Sequence, residues 1–337
     1  MTELSSELLS GSIVTTRIRL ARNLAEAPFK ITDERAARGV IKAVERALAG
    51  VEDLKLLYVK NLSSIALEAM KERHAISLNL MDNAESGAVL INEDESVSVM
   101  VNEEDVIREQ CIMKGLRLTE AYRRLEAVDD VLSKNLDIAY DDKFGYLTAC
   151  PTNLGTGMRA SVMMFLPALT ESGKIKKVKA EIESRGLTMR GLYGEGSRAE
   201  GYNYQISNER TLGISEEEIL REVEETVLEI CKAERSEMER LYGKHELYAM
   251  DKAKKAFGVL TNAVLLSYDE FLSYAADVKL GAMLGVIGIS DVEAIDDLIV
   301  SVRPANLCEQ HGKKLSATDR DLFRAEITAK TLLKLID

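Results

Sequence analysis

The segment from residue 150 to residue 163 constrains the fold of this chain more than any other stretch. It reads Cys-Pro-Thr-Asn-Leu-Gly-Thr-Gly-Met-Arg-Ala-Ser-Val-Met. Pro151, Gly155 and Gly157 favour a tight turn whose bare backbone amides can approach an anion closely. We expect Arg159 at the start of a helix, where the helix dipole and a guanidinium can share one phosphate. Taken alone, the segment favours an ordinary strand-to-helix turn with a boundary cysteine, Cys150, so other parts of the chain must decide.

Size, charge and cysteine content narrow the class of protein. The chain has 337 residues, a length that predicts a large core and two domains. Its formal net charge of −12 argues against broad binding to nucleic acid or to anionic membranes. The four cysteines are far apart and form no Cys-x-x-Cys pair, so neither a zinc site nor a disulfide scaffold is indicated. The first ten residues lack the pattern of a signal peptide, and we expect a cytoplasmic protein.

Hydrophobic periodicity predicts a mixed α and β chain with a helical C-terminal part. Strands are predicted at 12–20, at 145–149 and at 202–207, with a hairpin over 88–101. Helices are predicted at 32–49, 103–113 and 119–134, and a capping box at Ser215 begins a long helix. From about residue 240 the chain reads as helices joined by short turns, and we place a domain boundary there.

Two further segments carry charged residues in arrangements that suit a binding site. Arg17 and Arg19 alternate with apolar residues, so a strand would place both on one face, where they repel unless an anion lies between them. Asn102 is followed by three acids, Glu103, Glu104 and Asp105. That tetrapeptide is typical of an ordinary helix start, but the same carboxylates at a strand end could bind Mg²⁺ through water and orient a cationic nucleophile.

Taken together, these segments resemble the catalytic domain of the phosphagen (guanidino) kinases. The matching pieces occur in the order of that family and cover roughly residues 12–237. They are Thr16-Arg-Ile-Arg19, Asn102-Glu-Glu-Asp105 with Arg108, Cys150-Pro-Thr-Asn-Leu-Gly-Thr156 with Arg159, Arg190-Gly with Gly194-Glu195, and Ile206-Ser-Asn208. The resemblance implies an α+β fold in which an antiparallel sheet is flanked by helices and is followed by a small all-helical domain. We place the catalytic domain at 1–238 and the helical domain at 239–337.

The resemblance also implies a role for each matching residue. Glu104 would orient the substrate guanidinium and accept its proton, Glu195 would supply a second carboxylate, and Cys150 would contact another guanidinium nitrogen. Glu103 and Asp105 would act on Mg²⁺ through water. The residues that the resemblance implies for ATP binding are Thr15, Thr16, Arg17, Ile18, Arg19, His74, Arg108, Arg159, Ala160, Ser161, Val162, Met163, Arg190, Gly191, Leu192, Tyr193, Gly194 and Glu195.

Two features indicate a particular branch of the family. Kinases of small guanidines carry a helical domain before the Arg-x-Arg strand, which begins here about a dozen residues from Met1, so we expect that domain to be absent. The added helical region after residue 238 resembles the protein-arginine kinases of bacteria. In that branch Arg-Asp-x-x-Arg-Ala binds phosphoarginine, and the matching residues are Arg320, Asp321, Arg324 and Ala325.

The resemblance implies ATP with Mg²⁺, protein substrates with exposed arginines, and a role in stress response and protein quality control. Its partners would be an activator, McsA, the repressor CtsR and a Clp unfoldase, and the C-terminal domain would form a homodimer. The sequence departs from the family at Val106 and Met163, positions where a histidine is often found, which concerns contacts to the nucleotide. A kinase of small guanidines and a non-catalytic phosphoarginine-binding adaptor remain alternatives. The intact carboxylates and arginines argue against the adaptor.

Overall fold

The computed structural model describes residues 11–31, 33–191, 201–243 and 245–336. Its strands are β1 (Ile13–Arg22), β2 (Lys55–Tyr58), β3 (Ala88–Ile91), β4 (Val97–Val101), β5 (Ile107–Lys114), β6 (Tyr140–Asp141), β7 (Gly145–Tyr146), β8 (Met158–Phe165), β9 (Leu187–Gly191) and β10 (Asn203–Asn208). Its α-helices are α1 (Glu34–Ala47), α2 (Ser64–Glu72), α3 (Leu78–Asp82), α4 (Leu118–Asn135), α5 (Pro167–Glu171), α6 (Ile175–Ser184), α7 (Glu216–Tyr242), α8 (Glu246–Asn262), α9 (Tyr268–Met283), α10 (Glu293–Ser301), α11 (Pro304–Gln310) and α12 (Ala317–Leu335).

Eight of these strands form one sheet, in the order β2-β3-β4-β5-β1-β8-β10-β9, while β6 and β7 form a separate hairpin. The pairs β2–β3, β3–β4, β4–β5 and β1–β5 are antiparallel. In the β1–β5 register Arg19 lies opposite Gln110, and Ala21 lies opposite Arg108. This register places the arginines of both strands on the same face of the sheet.

The chain divides into two compact bodies. Body 1 consists of Thr15–Val162 and Ser207–Glu225, and body 2 consists of Met1–Val14, Met163–Ile206 and Thr226–Asp337. In body 1 one part of the core packs α2 and α3 against β3 and β4, through residues such as Met70, Leu80, Val89 and Met100. Burial of these side chains stabilises the sheet that carries the arginines.

Body 2 contains the C-terminal helices. One of its cores packs Ala168 of α5 against Met238 of α7, Ala249 of α8 and Leu280 of α9. Capping boxes formed by Ser267 with Glu270 and by Ser316 with Asp319 begin α9 and α12. No helix in the described ranges is long and apolar enough to span a membrane.

The fold class predicted from the sequence is confirmed, because antiparallel strands flanked by helices precede a helical region. The hairpin over 88–101 and the helix over 119–134 are present as β3–β4 and α4. The helix predicted at 103–113 is wrong, since 107–114 form strand β5. The acids that resemble a helix start instead form a loop between two strands, and β5 lies inside the sheet, where its alternate residues are buried.

Arg159 does not begin a helix, as the glycine turn suggested. It lies in strand β8, whose neighbours in the sheet are β1 and β10. Backbone pairing on both sides of β8 determines its conformation, and local sequence does not report that pairing. The change of element moves the Arg159 guanidinium from a helix end to a sheet face, beside the arginines of β1.

Candidate active site

Arginines from three adjacent strands meet in body 1. Along β1 the side chains of Ile18 and Leu20 are buried in the core, so Arg17 and Arg19 lie on the opposite face. Arg108 of β5 and Arg159 of β8 flank them, and Arg159 Nη2 donates a hydrogen bond to Ser207 Oγ at 3.0 Å. Sheet geometry therefore gathers positive charges that are separate in sequence.

Crowding and burial lower the pKa of these guanidinium groups. Burial lowers the pKa of Arg17 to about 10, and the charges of Arg108 and Arg159 contribute. The pKa of Arg19 falls well below its usual value, chiefly by burial and then by the charges of its three arginine neighbours. In the described part of the chain, the buried Nε of Arg19 has no hydrogen-bond partner. Four guanidinium groups that repel one another, together with an unsatisfied buried donor, suit a polyanion such as ATP.

The three acids after Asn102 have different surroundings. Glu103 is buried, and its carboxylate accepts hydrogen bonds from Ser77 Oγ and Arg108 Nη1. Asp105 is buried and accepts from Asn23 Nδ2 at 2.8 Å and from the backbone amide of Ala149 at 2.6 Å. Glu104 between them is exposed. The loop therefore uses its outer two acids for structure and presents the middle one.

A cavity of about 150 Å³ brings the acids, three of the four arginines and the cysteine together. Cys150 is partly buried, and its Sγ lies 3.0 Å from Thr152 Oγ1. The residues lining the cavity are Arg19, Leu20, Ala21, Glu103, Glu104, Asp105, Arg108, Cys150, Thr152, Asn153, Gly157 and Arg159. A cationic nucleophile beside Glu104 would thus lie next to a site for anions.

The glycines of the turn serve packing, and the expectation that their amides meet an anion is wrong for Gly155. Its amide donates to the carbonyl of Tyr146. Gly157 has a φ of +65°, and a Cβ there would lie 2.6 Å from the carbonyl oxygen of Ala21. Glycine is required at this position because the backbone of the turn touches the end of β1.

The residues implied for Mg²⁺ fit an indirect role. The carboxylate oxygens of Glu103 and Asp105 accept hydrogen bonds from protein donors. Asn153 Nδ2, for example, donates to the second carboxylate oxygen of Asp105 at 3.1 Å. Among the described residues no group of three His, Cys, Asp or Glu side chains could hold a metal ion. These acids suit an ion that is carried by nucleotide phosphates and contacted through water.

Several residues implied for ATP binding have structural partners. Thr16 Oγ1 donates to the carbonyl of Gly115 at 2.6 Å, and the amide of Ala160 donates to Asn208 Oδ1. Ser161 Oγ donates to the carbonyl of Arg17 at 3.3 Å. The side chains of Ile18 and Val162 are buried in the core. These contacts hold the strands together, and a role of these residues toward a nucleotide stays a prediction.

Other predicted site residues lie apart from the cavity lining or outside the described ranges. Thr15 is partly buried, whereas His74 is exposed and its carbonyl accepts from Gln110 Nε2 at 2.7 Å. The three remaining described residues belong to body 2 and are Met163, Arg190 and Gly191. Leu192, Tyr193, Gly194 and Glu195 lie outside the described residues.

The two arginines of the C-terminal motif differ sharply in environment. Arg324 is 1% exposed and donates to the carbonyls of Val302 and Leu266 and to Asp321 Oδ1. Arg320 is partly exposed, and its Nη1 donates to the carbonyl of Leu315 at 3.2 Å. Ala325 is buried. The helix therefore directs Arg324 inward, where it joins separate segments of body 2, and leaves Arg320 nearer the surface.

Sequence reasoning missed the residues that hold the acidic loop. Asn23 both donates to Asp105 and accepts from the amide of Val106 at 2.8 Å, and Ser77 binds Glu103. Neither belongs to a recognisable motif, although Asn23 directly follows the arginine-rich strand. Their contacts span more than twenty residues of sequence, so no local pattern could reveal them.

Comparison with known proteins agrees with this geometry. The family model of the ATP:guanido phosphotransferase C-terminal catalytic domain matches residues 36–237, so the fold and site define a guanidino kinase. The family model of the protein-arginine kinase McsB C-terminal domain matches residues 246–336.

A protein-arginine kinase from Caldanaerobacter subterraneus is 40% identical over 96% of this chain and 97% of its own length. One from Clostridium kluyveri is 43% identical over 96% of this chain and 95% of its own. The chain belongs to the protein-arginine kinases of the ATP:guanido phosphotransferase family.

Solved structures of other guanidino kinases share the fold. The duplicated taurocyamine kinase of Schistosoma mansoni, solved with transition-state analogue components, has a TM-score of 0.57 and 27% identity. This match covers 67% of the present chain and 33% of the duplicated one. A lombricine kinase has a TM-score of 0.58 and 25% identity, with 67% and 66% covered. As a phosphotransferase of this family, the protein uses ATP.

Proposed function

We propose that this site transfers the γ-phosphoryl group of ATP to arginine side chains of protein substrates. The observation that carries the proposal is the exposed Glu104 in one cavity with Cys150 and three arginines of the cluster, Arg19, Arg108 and Arg159. A guanidinium is protonated at ordinary pH and becomes a nucleophile only when a base takes a proton. Glu104 is the one exposed carboxylate among the three acids of its loop, so it is the one that a substrate can reach.

The transfer proceeds by proton abstraction and in-line displacement. Glu104 accepts an N–H proton of the substrate guanidinium, whose nitrogen forms a bond to phosphorus while the bond to the bridging oxygen of ADP breaks. Arg17, Arg19, Arg108 and Arg159 neutralise the phosphate charge and hold it in place. Mg²⁺ carried by the nucleotide would add positive charge there, with Glu103 and Asp105 contacting its water. Cys150 and Glu195 would orient the guanidinium.

The remaining assignments rest on the family. We place a catalytic domain at 1–238 and a helical domain at 239–337, which would bind phosphoarginine through Arg320, Asp321, Arg324 and Ala325. A homodimer through that domain, an activator McsA, the repressor CtsR and delivery of marked proteins to a Clp unfoldase would place the enzyme in cytoplasmic stress response. The match to the McsB C-terminal family model over 246–336 supports this organisation.

Mass spectrometry distinguishes the proposed activity from its alternatives. The protein is mixed with ATP, Mg²⁺, an arginine-containing protein and free arginine, and phosphate is then located. We expect phosphoarginine on the protein. Phosphate on free arginine alone would indicate a kinase of small guanidines, and phosphate on neither would indicate a non-catalytic adaptor.

A further inference from the structure

Three exposed apolar side chains occupy connected segments of body 1. Tyr140 is 59% exposed, Phe144 42% and Leu212 44%. Elsewhere in the described part of that body only Leu78 is a large apolar side chain of comparable exposure. We call Tyr140, Phe144 and Leu212 the apolar shelf. Exposed apolar side chains on neighbouring segments favour an interaction site.

The hairpin that carries Tyr140 and Phe144 is joined to the turn of the cavity. Tyr146, which pairs with Tyr140 in the hairpin, exchanges backbone hydrogen bonds of 2.8 and 3.3 Å with Gly155. A Cβ on Gly145 would lie 2.5 Å from the carbonyl oxygen of Gly155, so the two backbones are too close together for a side chain at residue 145. The hairpin therefore has a fixed position against the turn.

The segment that carries Leu212 is joined to the same turn. The carbonyl of Thr211 accepts a hydrogen bond from the amide of Thr156 at 3.0 Å. The side-chain Oγ1 of Thr211 donates to the carbonyl of Leu154 at 2.8 Å. A Cβ on Gly155 would lie 2.8 Å from the Cα of Leu212. The beginning of this turn, at Cys150, lines the cavity that contains Glu104. One short turn thus separates the shelf from the candidate active site.

Charged groups of both signs lie near the shelf. Burial raises the pKa of Tyr146, the positive charge of Arg22 opposes this, and the negative charges of Asp129 and Glu216 add to the rise. In the hairpin Asp142 is exposed, and Lys143 Nζ beside it lies 5.2 Å from the ring centroid of Phe144. The surroundings of the shelf are therefore mixed in charge, and its apolar side chains carry its preference.

We propose that the apolar shelf binds an apolar side chain of the substrate polypeptide, close in sequence to the target arginine. This inference rests on the proposed function, because it requires a peptide whose arginine enters the cavity. The polypeptide on either side of that arginine must leave the cavity, and the turn from Cys150 to Gly155 leads directly to the shelf. Contact with the shelf would give the kinase a preference for sequence around its target.

Two peptides of equal charge test the proposal, one with leucines two residues on either side of a single arginine and one with serines there. We expect wild-type kcat/KM to favour the leucine peptide by about fivefold, as partial burial of one apolar side chain allows. The double variant Phe144→Ser, Leu212→Ser should reduce that ratio to about one by raising KM for the leucine peptide. Leu212→Ser alone provides a milder second variant, and Val264→Ser, at an exposed position of body 2, is the matched control.

The possible outcomes separate this proposal from the proposed function. Equal kcat/KM values for both peptides in the wild type would overturn the proposal that the shelf binds substrate. An unchanged ratio of the two kcat/KM values in the variants would overturn it as well. Equal losses on both peptides would also overturn it, since the residues would then support the turn and not the substrate. A change in sedimentation with an unchanged ratio would assign the shelf to a second copy of the chain. If neither the two peptides nor any protein substrate were phosphorylated, the proposed function itself would be rejected.

Discussion

At the scale of single residues, the three neighbouring acids of the site have different roles. Two of them hold the loop in place, and the third is available to a substrate. Glu103 and Asp105 are buried and accept hydrogen bonds, whereas Glu104 between them is exposed. Burying the outer carboxylates against donors fixes the loop, and that fixation restricts where Glu104 can lie. The sequence alone predicted the importance of all three acids. It could not assign their surroundings, because the donors at Asn23 and Ser77 are distant in sequence.

We expect Glu104→Gln to lower kcat by about 10²–10⁴-fold, because an amide cannot accept the guanidinium proton. The KM for ATP should change little, since the arginine cluster is intact. Steady-state kinetics with a protein substrate measures both values. Glu93→Gln, at an exposed turn between β3 and β4, serves as the control and should retain activity. Near-normal turnover of the Glu104 variant would show that another group accepts the proton.

At the scale of elements, the sequence predicts strands and helices well where alternation or caps are strong. The alternation of Arg17 and Arg19 with buried residues identified β1, and the hairpin and α4 followed from similar patterns. The prediction from sequence was wrong at β5, because the acids after Asn102 resemble the start of a helix. It was also wrong at Arg159, because the glycine turn before this residue leads into a strand. In both cases pairing with distant strands outweighs the local signal.

The turn at Gly157 offers a test of close backbone approach. Gly157 and Gly115 have nearly the same φ, +65° and +68°, but of the two only Gly157 has neighbouring atoms within 4 Å of the place that an alanine methyl group would occupy. Gly115→Ala should therefore report backbone strain alone. We expect Gly157→Ala to lower the free energy of unfolding by about 2 kcal/mol more than Gly115→Ala, because its methyl group meets the Ala21 carbonyl. Denaturant titrations compare them, and equal losses would contradict the contact.

A buried acid of α7 makes the stability of body 2 depend on pH. Glu234 accepts from the amides of Ala168 and Leu169, and burial raises its pKa from 4.5 to about 7. Because the folded state favours the protonated acid, the stability from this group is present below about pH 4.5 and is lost as pH rises through about 7.

Glu234→Gln should remove this dependence. The amide cannot serve both backbone donors, so we expect the variant to be less stable at low pH by about 1 kcal/mol. From pH 5 to pH 8 it should gain up to about 3 kcal/mol relative to the wild type, which must ionise a buried group. Urea unfolding at several pH values gives the difference, in which all other titrating groups cancel. A difference independent of pH would contradict the raised pKa.

At the scale of the whole molecule, the order of motifs in the sequence identified the family but not the packing of each motif. Arg320 and Arg324, four residues apart, look equivalent on a helix surface when only the sequence is considered. In the structure Arg324 reaches two backbone carbonyls from distant segments, Val302 and Leu266, and is buried. Removing its guanidinium would leave those acceptors unsatisfied in the core. A double replacement therefore cannot separate ligand binding from folding.

The two arginines are best tested one at a time. We expect Arg320→Ala to weaken binding of a phosphoarginine peptide at least about tenfold, as loss of a charge-assisted contact implies, while the thermal midpoint stays near wild type. Arg324→Ala should instead lower the free energy of unfolding by about 2–4 kcal/mol. Lys314→Ala, at an exposed position nearby, is the control. If the helical domain couples to the kinase site, the peptide should also stimulate the wild type and not the Arg320 variant. Calorimetric titration and kinetics with the same peptide decide this, and undiminished binding by Arg320→Ala would place the phosphoarginine site on other residues.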